Sequence, residues 1–266
     1  MLKSILIIAV LFSFFRINGQ ENEGEVITDA QIWLDYNGKY NFDEQKSISG
    51  FIGYRTINPH LYDRIVFVPT YNIMNTKSPK FMNRKKKPLI HSFHLGSGFF
   101  YTNNYDFDDN FEFRLSEGIA FFLPSFKTVP LKHLIRFEQR FQKTFNGSNW
   151  NASLRFRYKL STAIEWKKRL FSFSKGMYIP LSVEVFFNVN EANRFNDVIR
   201  ITPGIGYKFN DEWKAEFLVS YHYSNNTSAN QDSSNDFVFR LRLFKANIKK
   251  AAVMDTKEDE IKELIE

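Results

Sequence analysis

Residues 131–160 read LKHLIRFEQRFQKTFNGSNWNASLRFRYKL. Two alternating stretches flank the turn-forming run Asn146-Gly147-Ser148-Asn149. In the second stretch Leu154, Phe156, Tyr158 and Leu160 share one parity, and Arg155, Arg157 and Lys159 share the other. Successive side chains of a strand point to opposite faces, so such a segment has one apolar, aromatic face and one cationic face. In the first stretch Ile135, Phe137 and Phe141 oppose Arg136, Glu138 and Arg140 in the same way. One hairpin of this kind also suits a soluble sheet. Repeated through the chain behind an export signal, it is the pattern of a membrane β-barrel.

The repetition extends in both directions. Upstream, strands are expected over residues 30–41, 48–57, 63–74, 89–102 and 110–123. Ile32, Leu34 and Tyr36 oppose Trp33, Asp35 and Asn37; Ile52 and Tyr54 oppose Arg55; Ile65 and Phe67 oppose Arg64. Phe111, Phe113 and Leu115 oppose Glu112, Arg114 and Ser116. Downstream, strands are expected over residues 177–190, 195–210, 213–224 and 237–245. There Val183, Val185 and Phe187 oppose Glu184, and Ile199 and Ile201 oppose Arg200. Phe217 and Val219 oppose Glu216, and Phe239, Leu241 and Leu243 oppose Arg240 and Arg242.

The start of the chain reads as a signal peptide over residues 1–19. Lys3 precedes the apolar run ILIIAVLFSFF at residues 5–15, and Gly19 offers a small residue before Gln20. As a membrane anchor that run falls short of the roughly 20 residues a helix needs. No later stretch approaches that length, so spanning segments must be strands. The chain has no Cys, which excludes disulfides and thiolate sites. It has 30 Phe and 12 Tyr, yet its mean hydropathy is -0.36. Many rings with a hydrophilic average fit a wall apolar at every second position. The net charge of +7 is dispersed through strands, a poor footprint for nucleic acid.

The expected architecture is therefore all-β, an antiparallel up-and-down transmembrane barrel over residues 20–245, followed by a charged tail at 246–266. Eleven strand-like segments are legible. Because bacterial single-chain barrels have even strand numbers, twelve strands are expected, with a segment hidden, or ten, if residues 30–41 do not cross. Asn210-Asp211-Glu212 is a tight turn, and residues 224–236 form a long polar loop. Short turns on one side and long loops on the other are the outer-membrane habit. With the end of the last strand in the periplasm, residues 101–109 and 144–149 lie outside. The predicted place is the bacterial outer membrane. Lipid, lipopolysaccharide and the barrel-assembly machinery are the implied partners.

The later half resembles an exported β-barrel family known as domain of unknown function 2490. The resemblance rests on Arg136-Phe137-Glu138-Gln139-Arg140-Phe141, Trp150 and Arg155-Phe156-Arg157-Tyr158. It continues through Glu184-Val185-Phe186-Phe187-Asn188 and Gly204-Ile205-Gly206-Tyr207-Lys208-Phe209-Asn210, with Trp33 as an early landmark. It implies an outer-membrane barrel and carries no catalytic residue.

Candidate chemistry lies first on the polar face: Glu112, Arg114, Arg136, Glu138, Arg140, Arg155, Arg157, Glu184, Arg200, Glu216, Arg240 and Arg242. These are expected to line the lumen, either as a salt-bridged brace or as an anion-attracting passage. Long arginine side chains in a modest interior predict a narrow passage, and the excess of Arg over Glu predicts its anion preference. A hydrolase reading has one trio available, Ser220, His222 and Ser224, which are i±2 neighbours at a Ser-rich strand end. An adhesin or receptor using its loops is the third class. His91 and His94 are three apart and so on opposite strand faces, which predicts no metal site and no cofactor. The loop at residues 75–88 carries Lys77, Lys80, Arg84, Lys85, Lys86 and Lys87, suited to anionic headgroups or to solvent. The tail opens with a helix-start pattern, Asp255 with Glu258, ahead of Ile261, Leu264 and Ile265.

Overall fold

The computed structural model describes residues 28–58, 62–74, 90–123, 130–147, 149–165, 176–189, 197–224 and 234–247. The expected signal peptide at residues 1–19, the expected basic loop at 75–88 and tail residues 248–266 lie outside the described residues, as do residues 225–233 of the expected polar loop.

Eleven strands form one closed barrel. They are β1 (Ala30–Asn41), β2 (Lys46–Asn58), β3 (Tyr62–Met74), β4 (Ile90–Asn104), β5 (Asn110–Leu123) and β6 (Leu131–Thr144). The remainder are β7 (Asn151–Glu165), β8 (Met177–Asn188), β9 (Asp197–Lys208), β10 (Trp213–Ser224) and β11 (Ser234–Asn247). Each strand pairs antiparallel with the next, across short connections such as residues 42–45 and 59–61 and across longer ones alike. The expectation of twelve strands is overturned, and so is the alternative of ten. Residues 30–41 form β1, a full member of the wall, and no hidden strand appears among the described residues.

The closure has a geometric consequence. In an up-and-down sheet every step reverses direction, so an odd number of strands must close on a parallel pair. Here β1 and β11 run parallel from Ala30 opposite Phe237 to Tyr40 opposite Asn247. Inward side chains staple this seam. Gln31 Nε2 donates to Asp236 Oδ2 at 2.7 Å, Arg240 pairs with Asp35, and Arg242 Nη2 donates to Asn37 Oδ1 at 3.2 Å. Asn37 Nδ2 in turn donates to the Leu243 carbonyl at 3.3 Å.

Alternation turns the usual order of a soluble protein inside out. Among the described residues ten hydrophobic side chains are buried, against twenty-four polar or charged ones. Large apolar residues cover the exterior instead, with Ile32 50% and Leu241 51% exposed. Phe67, Phe99, Phe113 and Phe141 occupy one register row across β3 to β6. Their rings follow one another at 6.3, 5.3 and 6.2 Å. Glu117, exposed midway along β5, interrupts this apolar face.

Two turns are fixed by side-chain acceptors. Asp43 Oδ1 accepts from the amides of Gln45 and Lys46, and Asn210 Oδ1 from those of Glu212 and Trp213. Connection length does not segregate by barrel end as expected. These two tight turns share their end with the connections at residues 75–89 and 166–176. Opposite them are the connections at residues 59–61, 105–109, 145–150, 189–196 and 225–233.

Candidate functional site: the charged lumen

Four carboxylates organise the charges of β5 to β11. Glu112 on β5 accepts from Arg140 Nε at 2.7 Å, from Arg114 Nη2 at 2.6 Å and from Gln142 Nε2 at 3.2 Å. Glu138 on β6 accepts from Arg155 Nη2 at 2.7 Å and from Arg157 Nη1. Arg114 and Arg136 approach Glu138 at 3.6 and 3.9 Å. Glu184 on β8 takes the other arm of Arg157 at 2.7 Å and meets Arg200 at 3.6 Å. Arg157 thus bridges two carboxylates, which joins β6, β7 and β8 through their side chains.

The ladder arises from register. The β6–β7 register places Glu138 opposite Arg155, and the β8–β9 register places Glu184 opposite Arg200. Opposite charges one strand apart need no long reach. Arg140 and Glu138 are 0% and 1% exposed, and burying charge at that level is tolerated only when it is paired and hydrogen-bonded. Aromatic faces supply further support. Arg114 lies 4.2 Å over Phe100, and Arg155, Arg157 and Arg200 surround Phe186 at 5.1, 4.8 and 5.0 Å.

A second group forms beside the seam. Glu216 on β10 accepts from Arg242 Nη1 at 3.1 Å and from the Tyr178 hydroxyl at 2.8 Å. Tyr178 reaches it by lying across β9 over Gly206. A Cβ at Gly206 would stand 2.2 Å from the Tyr178 ring, so only glycine permits this crossing. At Gly53 a Cβ would stand 2.2 Å from Asp35 Oδ1, so a side chain there would displace that carboxylate.

The model of the family described as protein of unknown function (DUF2490) matches residues 30–233. The chain belongs to that family. The match begins with β1 and ends one residue before β11, so in this DUF2490 barrel only the closing strand falls outside it. No curated protein matches the chain.

The DUF2490 barrel encloses a cavity of about 600 Å³. Of the residues singled out from sequence, Arg114, Arg136, Glu138, Arg155, Arg157, Glu184, Arg200, Glu216, Arg240 and Arg242 line it. Glu112 and Arg140 do not; they are packed within the interior against each other. The lining carries fifteen Lys and Arg side chains against seven Asp and Glu, so its potential is positive. Sequence reasoning left Asp35, Arg55 and Arg64 out of the charged set, although their alternation with Leu34, Tyr54 and Ile65 placed them on the polar face.

The remaining candidates have other engagements. The Ser220 hydroxyl pairs with that of Thr202 at 2.8 Å, and His222 packs edge-on to Trp33 at 5.3 Å. His94 bonds Asn72 and Ser92 at 2.7 and 2.9 Å, while His91 packs against Phe122 at 5.0 Å. No cluster of three metal-ligating side chains occurs among the described residues.

Proposed function

We propose that this chain is a bacterial outer-membrane β-barrel whose interior forms a charge-braced, narrow, anion-preferring lumen. One observation carries the reading: the barrel wears its large apolar side chains outside and its charges inside. Water would penalise that exterior, whereas hydrocarbon accepts it, and closure leaves no unpaired strand edge to lipid. Aromatic rings near both barrel rims fit the water–lipid boundaries, with Tyr54, Tyr101 and Trp150 at one end and Tyr40, Phe42 and Trp213 at the other. The apolar leader at residues 5–15 supports export, after which the assembly machinery would insert the barrel among lipid and lipopolysaccharide.

Within the lumen, ion pairs joining neighbouring strands favour a braced wall over a wide pore. Unequal numbers of cations and anions in the lining give the passage its anion preference. The reading is tested by fractionating expressing cells and running the membrane fraction on SDS gels with and without boiling. Outer-membrane recovery with a boiling-dependent change in mobility is expected. Recovery as a soluble periplasmic monomer without detergent would end it.

A further inference from the structure

A second interior feature is a row of like charges. Trp33 on β1 stands directly opposite Arg240 of β11 on one side and Arg55 of β2 on the other. Arg55 in turn stands opposite Arg64 of β3. Three arginines thus occupy one level across four adjacent strands, and Arg200 reaches the same ring from β9. The guanidinium carbons of Arg55, Arg200 and Arg240 lie 3.9, 5.4 and 5.4 Å from the Trp33 ring centroid. All five residues line the cavity.

The carboxylates beside this group already hold other arginines. Asp35 engages Arg240, and Glu184, already holding Arg157, meets Arg200 at 3.6 Å. Arg55 makes no ion pair among the described residues, and its Nε is buried there without a hydrogen-bond partner. Like charges directly across a strand pair are destabilising, and a buried unpaired donor costs more. The Arg55 guanidinium carbon lies 3.9 Å from the Trp33 ring and 6.0 Å from the Phe51 ring, contacts that use none of its N–H donors.

We infer that this arginine row is a binding seat for a compact tetrahedral oxyanion of the phosphate or sulfate class. Guanidinium forks match such oxygens, and a tetrahedral acceptor offers them to donors arriving from β2, β9 and β11 in more directions than a planar carboxylate does. The seat rests on the anion-attracting lumen of the proposed function and gives it a specific address.

The test is calorimetric titration of inorganic phosphate into the full chain folded in detergent, at ionic strength held constant with NaCl. Saturable binding at one site is expected, weakened about tenfold or more in Arg55→Gln, with folding checked by the mobility shift on boiling. Arg55→Lys keeps the charge without the fork and should fall between. Absence of saturable heat in the wild-type protein would overturn the seat even where the variants fail to fold. Equal affinity in wild type and folded Arg55→Gln would also overturn it. Conductance separates the two readings. Anion-selective current without saturable phosphate binding removes the seat and leaves the passage; saturable binding in a barrel that carries a large cation-selective current keeps the seat and removes the anion-preferring passage.

Discussion

Glu138 of β6 and Arg155 of β7 stand opposite each other, and Arg155 donates to the same carboxylate oxygen through Nε at 2.9 Å and Nη2 at 2.7 Å. Both are buried, and Arg157, Arg114 and Arg136 gather around the same carboxylate. Glu138→Gln therefore strands several guanidinium groups at once. A loss of about 3 kcal/mol in folding stability is expected from urea titration in lipid vesicles. A change below about 0.5 kcal/mol would mean that the ladder is not what braces the wall.

The two faces of β7 point outward and into the lumen. Phe156 lies between Phe137 and Phe187 in one outward register row. Phe156→Arg should cost about 2–4 kcal/mol if that row sits near the bilayer midplane. Arg157→Gln should instead act through Glu138 and Glu184, and change ion selectivity as well as stability. Equal tolerance of Arg at 156 and 157 in refolding titrations would put the faces the wrong way round.

Glu117 offers the converse experiment. It is an exposed carboxylate on an otherwise apolar outer face, with Leu95 and Phe137 opposite it. If lipid covers that face, Glu117→Leu should stabilise the barrel in vesicles, by about 1 kcal/mol. If water covers it, the same change should lower solubility without raising the unfolding midpoint.

Tyr178 depends on the bare backbone beneath it. Gly206→Ala should push the ring off its place and break its hydrogen bond to Glu216, at a cost of about 1–3 kcal/mol. Pairing this change with Tyr178→Phe should give less than the sum of the single effects, because both act on one contact. Full additivity in the double-mutant cycle would refute the coupling.

The parallel seam makes a topological prediction. With eleven strands, the chain enters β1 at one barrel end and leaves β11 at the other. Epitopes placed just before Ala30 and just after Asn247 should then differ in access on intact cells, one labelled and one not. Equal access for both would imply an even number of crossings.

Alternation made most of this barrel legible, because a strand reverses its face at every residue and Phe137-Glu138 or Phe156-Arg157 shows the reversal locally. Turn residues such as Asn210 were equally readable, since their side chains act on amides two and three positions away. The closure was not. The pairing of Trp33 with Arg240 joins opposite ends of the chain, and neither strand carries a local mark of its partner. Reliance on even strand numbers then favoured an unseen twelfth strand. The same blindness hid the row of Arg240, Arg55 and Arg64, which exists only once β11, β1, β2 and β3 are side by side. Partner choice within the ladder was also out of reach. Alternation put Arg157 and two glutamates on one face, but only the register shows that it bridges them.

Planar-bilayer recording of the refolded protein in a KCl gradient tests the central claim most directly. The lumen described here predicts a small or closed conductance, with a reversal potential of the sign set by chloride. Glu138→Gln should move that potential further toward chloride by removing a lumen carboxylate. A large, cation-selective current from the wild-type barrel would contradict the account.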